Sequence, residues 1–142
     1  MSISSLGLRT TTFTATTAAN VEWKTPASIR AKILEISYIS ATATVQSIGL
    51  GRAQAVGITP VLVAFQADDP GDPASLMNGS LSWATSPTTP LIFMRRWNGA
   101  ATIGVGIVWT FPRGLVIPIS SAMVLWNISL TVASDVNCVL DE

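Results

Sequence analysis

The chain has no histidine, one cysteine and few charges of either sign. Each shortage excludes something. Without an imidazole, the Ser-His and Cys-His pairs that activate a nucleophile cannot be assembled. The lone cysteine, Cys138, can close no internal disulfide. With Val136 and Val139 close by in sequence, it reads as a small apolar filler. Acids and bases number eight each, so the formal net charge is zero. No basic run supplies the charged surface that a nucleic-acid partner requires. Gly49-Leu50-Gly51 lacks the third glycine, the lysine and the following helix of a phosphate loop. The acids gather in one turn and at the tail rather than as a catalytic pair. These residues point to no enzyme and imply no cofactor.

What is present is apolar. Hydrophobic residues make up 49% of the chain and charged residues 11%, against an ordinary charged share of about 25%. A solitary soluble domain depends on charge to stay dispersed, so this balance suits a chain that covers its surface with copies of itself or with another protein. A membrane span is the competing explanation, because Gly114 to Ser134 carries no charge over a spanning length. Pro118, Ser120, Ser121, Asn127, Ser129 and Thr131 interrupt that stretch, and its β-branched content replaces a leucine-rich pattern. The expectation is therefore no membrane. The N-terminal MSISSLGLRTTTF lacks a basic segment ahead of an apolar core, which predicts a protein made and folded in a cytoplasm.

Periodicity predicts strands throughout. The densest stretch is Ile103 to Asn127. Val105, Ile107 and Trp109 share one face, and Phe111-Pro112-Arg113-Gly114 reads as a turn, with Arg113 looking buried among apolar neighbours. Leu115 to Ile117 resumes extended structure, and Met123 to Leu130 forms a strong strand. Earlier in the chain, strands are expected at Ile3 to Thr14, Val21 to Lys24, Ser28 to Ser40, Val45 to Gly51 and Pro60 to Gln66. Further strands follow at Ser80 to Ala84, Leu91 to Trp97 and Val136 to Leu140. In Ser28 to Ser40 a helix competes, since Ile29, Ile33 and Ile36 have helical spacing, but the alternation of Leu34, Ile36 and Tyr38 favours a strand. The reading is all-β: a β-sandwich of jelly-roll type with an extended N-terminal arm. Residues 1–20 form that strand or arm, and 21–142 form one domain. An arm that lies across a neighbour could be deleted without loss of the fold.

Three groups of residues are candidate sites. Asp68, Asp69 and Asp72 share the loop ADDPGDPASLMNG, where a hard cation could bind; the prolines and glycine around them equally fit ordinary turn chemistry. Arg95, Arg96 and Trp97 could bind an anion, but adjacent strand residues face opposite ways, which favours a subunit interface instead. Of the tryptophans, Trp109 and Trp126 sit in apolar alternation and read as core. Trp23 and Trp97 have polar neighbours and read as exposed, at an interface or under a sugar. The interface set is Trp23, Arg95, Arg96, Trp97 and Arg113.

Several segments taken together carry a resemblance. They are Gly49-Leu50-Gly51-Arg52 with Gly57-Ile58-Thr59-Pro60, then Asp69-Pro70-Gly71-Asp72-Pro73-Ala74. Trp109-Thr110-Phe111-Pro112-Arg113-Gly114-Leu115, Leu125-Trp126-Asn127 and the terminal Asp141-Glu142 complete the set. From about Leu50 onward the chain resembles small all-β structural proteins of tailed-phage virions. The resemblance implies a capsid-decorating, cement-like protein, often a homotrimer, located in the virion and made in a host bacterial cytoplasm. Its partners would be copies of itself and the major capsid protein, with no nucleic acid. The alternative it leaves open is a tail- or fibre-associated module that binds host glycan.

Overall fold

The computed structural model describes residues 2–10, 18–129 and 133–142. They form strands β1 (Ile3–Thr10), β2 (Ala18–Lys24), β3 (Ala31–Ser40), β4 (Gln46–Arg52), β5 (Leu62–Ala64) and β6 (Gln66–Ala67). After these come β7 (Asn78–Ser80), β8 (Arg95–Gly99), β9 (Gly106–Ile117), β10 (Ala122–Asn127) and β11 (Ser134–Asp141). The chain is an all-β sandwich. One sheet has the order β6-β1-β11-β3-β9 and the other β5-β7-β2-β10-β4-β8. All pairings are antiparallel, and those of the long strands are nested: β4 with β8, β3 with β9, β2 with β10, β1 with β11. Consecutive long strands alternate between the sheets except from β4 to β8, which are neighbours in the second, so each inner face is filled from both halves of the chain. Among the described residues no helix is long and apolar enough to cross a membrane.

The main core lies between the sheets. Val21 and Trp23 of β2, Ile48 and Leu50 of β4, and Met123 and Leu125 of β10 meet Ile33, Ile36 and Tyr38 of β3 and Val136, Cys138 and Leu140 of β11. Strand β10 is buried on its other face as well. Ala122, Val124 and Trp126 form a second cluster with Ala19, packed under Ala53, Val56, Trp83 and Phe93. Those covering residues come from two loops, 53–61 and 81–94, which bond to each other through Gln54 N to Thr88 O (3.2 Å), Thr88 N to Ala55 O (3.0 Å) and Ile58 N to Thr85 O (3.0 Å). They make a flap over the outer face of the second sheet. Gly49 and Gly51 of β4 give the flap its seat: a Cβ would stand 2.5 Å from the Phe93 ring at one and 2.8 Å from Pro90 at the other. Beside them Glu22 is wholly buried and accepts from Gly57 N (2.9 Å) and Trp83 Nε1 (2.6 Å), so a carboxylate pins the flap to β2.

The structure corrects several expectations. Of the strand or arm expected at the N-terminus, Ile3–Thr10 is the strand: it pairs with β11 at every position and with β6 at Ser4 and Ser5, and Leu6 enters the core. Its β11 edge is fully paired and its other edge is covered at Ser4 and Ser5, so its removal would strip one side of β11. Thr11 to Thr17, the rest of that expected strand and loop, lie outside the described residues; Ala18 to Asn20 belong to β2. The helical spacing in β3 is a bulge. Ile33 faces Leu140 while Glu35 faces Val139, so Leu34 is an extra residue and the parity shifts. Ile33 and Ile36 thereby both point inward from a strand.

The expected turn at Phe111 to Gly114 does not end a strand. Leu115 lies opposite Ile33 and Thr110 opposite Glu35, so the segment loops out of the ladder while β9 continues for 12 residues. Gly114 has φ 69°, the turn chemistry anticipated there, used in a wide bulge. Arg113 at its tip is exposed, not buried. The single strand expected from Pro60 to Gln66 is divided between the sheets: β5 pairs with β7, β6 with β1, and buried Phe65 marks the crossing. Leu81 to Ala84 and Leu91 to Met94, expected as strand, belong to the flap.

Candidate functional site

Nesting leaves β8 and β9 as outermost strands of their sheets on the same side of the sandwich. That side carries most of the residues singled out from sequence. Arg95, Arg96 and Trp97 lie on β8, and Arg113 lies on the β9 bulge. The two arginines of β8 diverge, as adjacent strand residues must. Arg95 Cζ stands 5.8 Å from the centre of the Phe111 ring on β9, which ties the two edges together. Arg96 Cζ stands 5.7 Å from the Phe93 ring, on the flap side. Both guanidiniums lie over aromatic faces, where a cation is attracted by the ring quadrupole. Neither bonds an acid, and among the described residues the one ion pair is Arg9 with Asp135, on the outer face of the first sheet.

Trp23 does not belong to this surface. It is 1% exposed and fills the centre of the core, so its place in an interface is withdrawn. Its polar sequence neighbours misled: Glu22 points to the opposite face of β2, which is itself buried under the flap. Trp97 is half-buried, packed against Tyr38 with ring centres 5.9 Å apart. Trp83 is half-buried too, with its Nε1 engaged by Glu22. The fully exposed indole faces that sugar stacking needs are supplied by neither Trp23 nor Trp97.

Residues that the sequence reading passed over complete the edge. Arg52, at the end of β4, donates from Nη2 to Val116 O of β9 at 2.8 Å, a second tie between the sheets. Beside it Leu91 is 87% exposed and Ile92 79%, and with Met94, Pro90 and Ala53 they line a shallow apolar depression. The signal was present in the sequence as an absence: no Asp or Glu occurs from Pro73 to Ser134, so nothing local neutralises Arg95, Arg96 or Arg113.

The aspartates stand at the opposite side. Asp68 follows β6 and donates its backbone N–H to Ile3 O (2.9 Å). Asp69 is occupied with the turn: its Oδ1 accepts from Gly71 N (2.8 Å) and its carbonyl from Asp72 N (3.0 Å). No group of metal-binding side chains forms among the described residues, and the Asp69 carboxylate is engaged by the turn itself. Comparison of the chain with protein families, characterised proteins and solved structures finds no match.

The chemistry available at the β8–β9 edge is therefore that of contact. Arginine, aromatic rings and exposed aliphatic side chains are the composition of protein interfaces rather than of a reaction centre. Cys138 lies elsewhere, wholly buried, with its thiol pushed far above the ordinary range by burial, so it offers no thiolate.

Proposed function

We propose that the protein is a self-associating structural protein of a phage virion, decorating the capsid as a homotrimer and clamping neighbouring capsid subunits. The nested strand pairing is read here as a jelly roll, with β5, β6 and β7 inserted between its fourth and fifth long strands. One observation carries the reading: an apolar ridge, Leu91-Ile92 with Met94, stands exposed beside arginines that bond no acid. Contiguous apolar surface of this kind marks a contact site in a soluble protein, whereas single exposed aliphatics do not. Low overall charge supports the same conclusion, because a surface so poorly charged is best kept in solution by being covered.

The clamp would work by area. A standard interface buries about 1,600 Å² in total. At roughly 25 cal/mol per Å² of apolar surface this offsets the cost of immobilising the partners. The measurement that tests the reading is the mass of the purified protein by light scattering on a sizing column, followed by binding to empty capsid shells. A multimer that adds to shells is expected. A monomer that ignores them overturns the proposal. A glycan-binding module would instead show tryptophan quenching by sugars, which burial of Trp23 argues against.

A further inference from the structure

The aspartate cluster and most of the arginines stand at opposite sides of the sandwich, although Lys24 lies beside Leu62 on the aspartate side and Glu35 neighbours β9 on the other. Strands β6 and β9 are the two ends of the first sheet, separated by four strand spacings, about 19 Å. Asp68, Asp69 and Asp72 follow β6 at one side. Arg52, Arg95, Arg96 and Arg113 stand at the other, on β4, β8 and the β9 bulge. Each side also exposes aliphatic side chains: Val61 (64%) and Leu62 (55%) at β5, against Leu91 and Ile92 beyond β4 and β8.

A single transverse row can be followed through the first sheet. Asp68 N bonds Ile3 O, Ile3 lies opposite Asp141, Asp141 opposite Lys32, and Lys32 opposite Val116, whose carbonyl accepts from Arg52. The acidic loop and Arg52 therefore lie on one row, and Arg95 and Arg96 follow it along the edge, opposite Leu50 and Gly49 of β4. A second copy placed beside the first can therefore bring the Asp68–Asp72 loop towards the arginine edge, one at each end of the same sheet width.

From this we infer that the β8–β9 edge is a docking surface for a second copy of this chain, which enters with its β5–β6 side. The contact is heterologous: one edge meets a different edge. Two arginine edges facing each other would repel, which disfavours the two-fold arrangement. Repeating a head-to-tail contact closes a ring when the rotation allows it. The pairing places apolar Val61 and Leu62 against the Leu91–Ile92 ridge, so burial supplies affinity while charge fixes which edges meet. This inference rests on the self-association proposed above and names the surfaces that perform it.

Charge reversal tests it. One variant carries Arg95→Glu, Arg96→Glu and Arg113→Glu; a second carries Asp68→Lys, Asp69→Lys and Asp72→Lys; a third carries all of these. None of the altered side chains is in the core, and circular dichroism with thermal melting verifies the fold. Should a triple variant misfold, Arg96→Gln and Asp69→Asn read as a double-mutant cycle on the dimer constant replace it. The expected masses by light scattering in low salt are multimer for the unaltered protein, monomer for either one-sided variant, and multimer again for the combined variant. In the substitute cycle a coupling of at least threefold is expected, and additivity overturns the inference.

One-sided variants that keep the full mass overturn it. So does a split result, in which the arginine variant falls to monomer while the aspartate variant keeps the full mass, since the arginine edge would then be meeting some surface other than the acidic loop. Failure of the combined variant to reassociate overturns it as well. A monomeric unaltered protein would reject the self-association reading itself, whereas a multimer indifferent to reversal rejects only this pairing of edges.

Discussion

Glu22 is the residue on which the outer layer depends. A carboxylate removed from water needs donors, and it has two: the Gly57 amide and the Trp83 indole, both from the flap. Glu22→Ala leaves the buried Gly57 amide and the half-buried Trp83 indole without an acceptor and should cost about 2–3 kcal/mol in urea denaturation, with faster exchange of the Gly57 amide. Glu22→Gln keeps one acceptor oxygen and should lose less. Equal losses for the two variants would mean that the carboxylate packs rather than pins. At the opposite core, Cys138 and Tyr38 make stability fall in alkali. Burial raises the thiol from its usual 9.0 and the phenol from its usual 10.0. A group with a raised folded value contributes fully below its unfolded value and loses that contribution as pH rises beyond it. The urea midpoint should therefore hold to about pH 9 and then decline, and Cys138→Ala should flatten the first part of the decline.

At the scale of elements, the bulge in β9 is the feature that separates a readable pattern from its meaning. Phe111-Pro112-Arg113-Gly114 has the composition of a turn, and its glycine does adopt φ 69°. The strand nonetheless resumes on the same partner, because β3 offers Ile33 on one side of the insertion and Glu35 on the other. Gly114 is constrained twice: by its backbone angle, and by Lys32, whose Cβ would lie 2.7 Å from an added methyl group. Gly114→Ala should lower unfolding free energy by about 2 kcal/mol, and an unchanged denaturation midpoint would show that the bulge can move along the strand. The alternation of Val105, Ile107 and Trp109 and the core strand around Leu125 were legible, because one period governs each. Pro60 to Gln66 was not: its alternation persists across Phe65, where the chain changes sheets, and periodicity carries no record of which sheet a residue joins. Trp23 was misplaced for a related reason. Polar neighbours imply exposure only when the opposite face of the strand is wet, and here a flap distant in sequence keeps it dry.

For the whole molecule, the sequence states that charge is scarce and the fold states where it goes. Arg95, Arg96 and Arg113 were visible as candidates, and the acid-free run from Pro73 to Ser134 was available to be read. That Arg52 joins them required the nesting of β4 against β8 and β3 against β9, which no local pattern encodes. The apolar ridge is where this sorting meets energetics. Charge alone across an interface is screened within about 8 Å at physiological salt, so contacts held only by arginine and aspartate would dissolve as salt rises. In the proposed contact Leu91 and Ile92 would supply the unscreened part, each worth roughly 1.5–3 kcal/mol if fully buried by a partner. The variant Leu91→Ser with Ile92→Ser should leave the thermal midpoint unchanged at a dilution where the chain is monomeric, since both side chains already face solvent in the single chain. It should weaken self-association by more than tenfold in sedimentation equilibrium. Association that survives the two serines, or a midpoint that drops with them, would place the ridge inside the fold's own packing and leave charge to hold the copies together unaided.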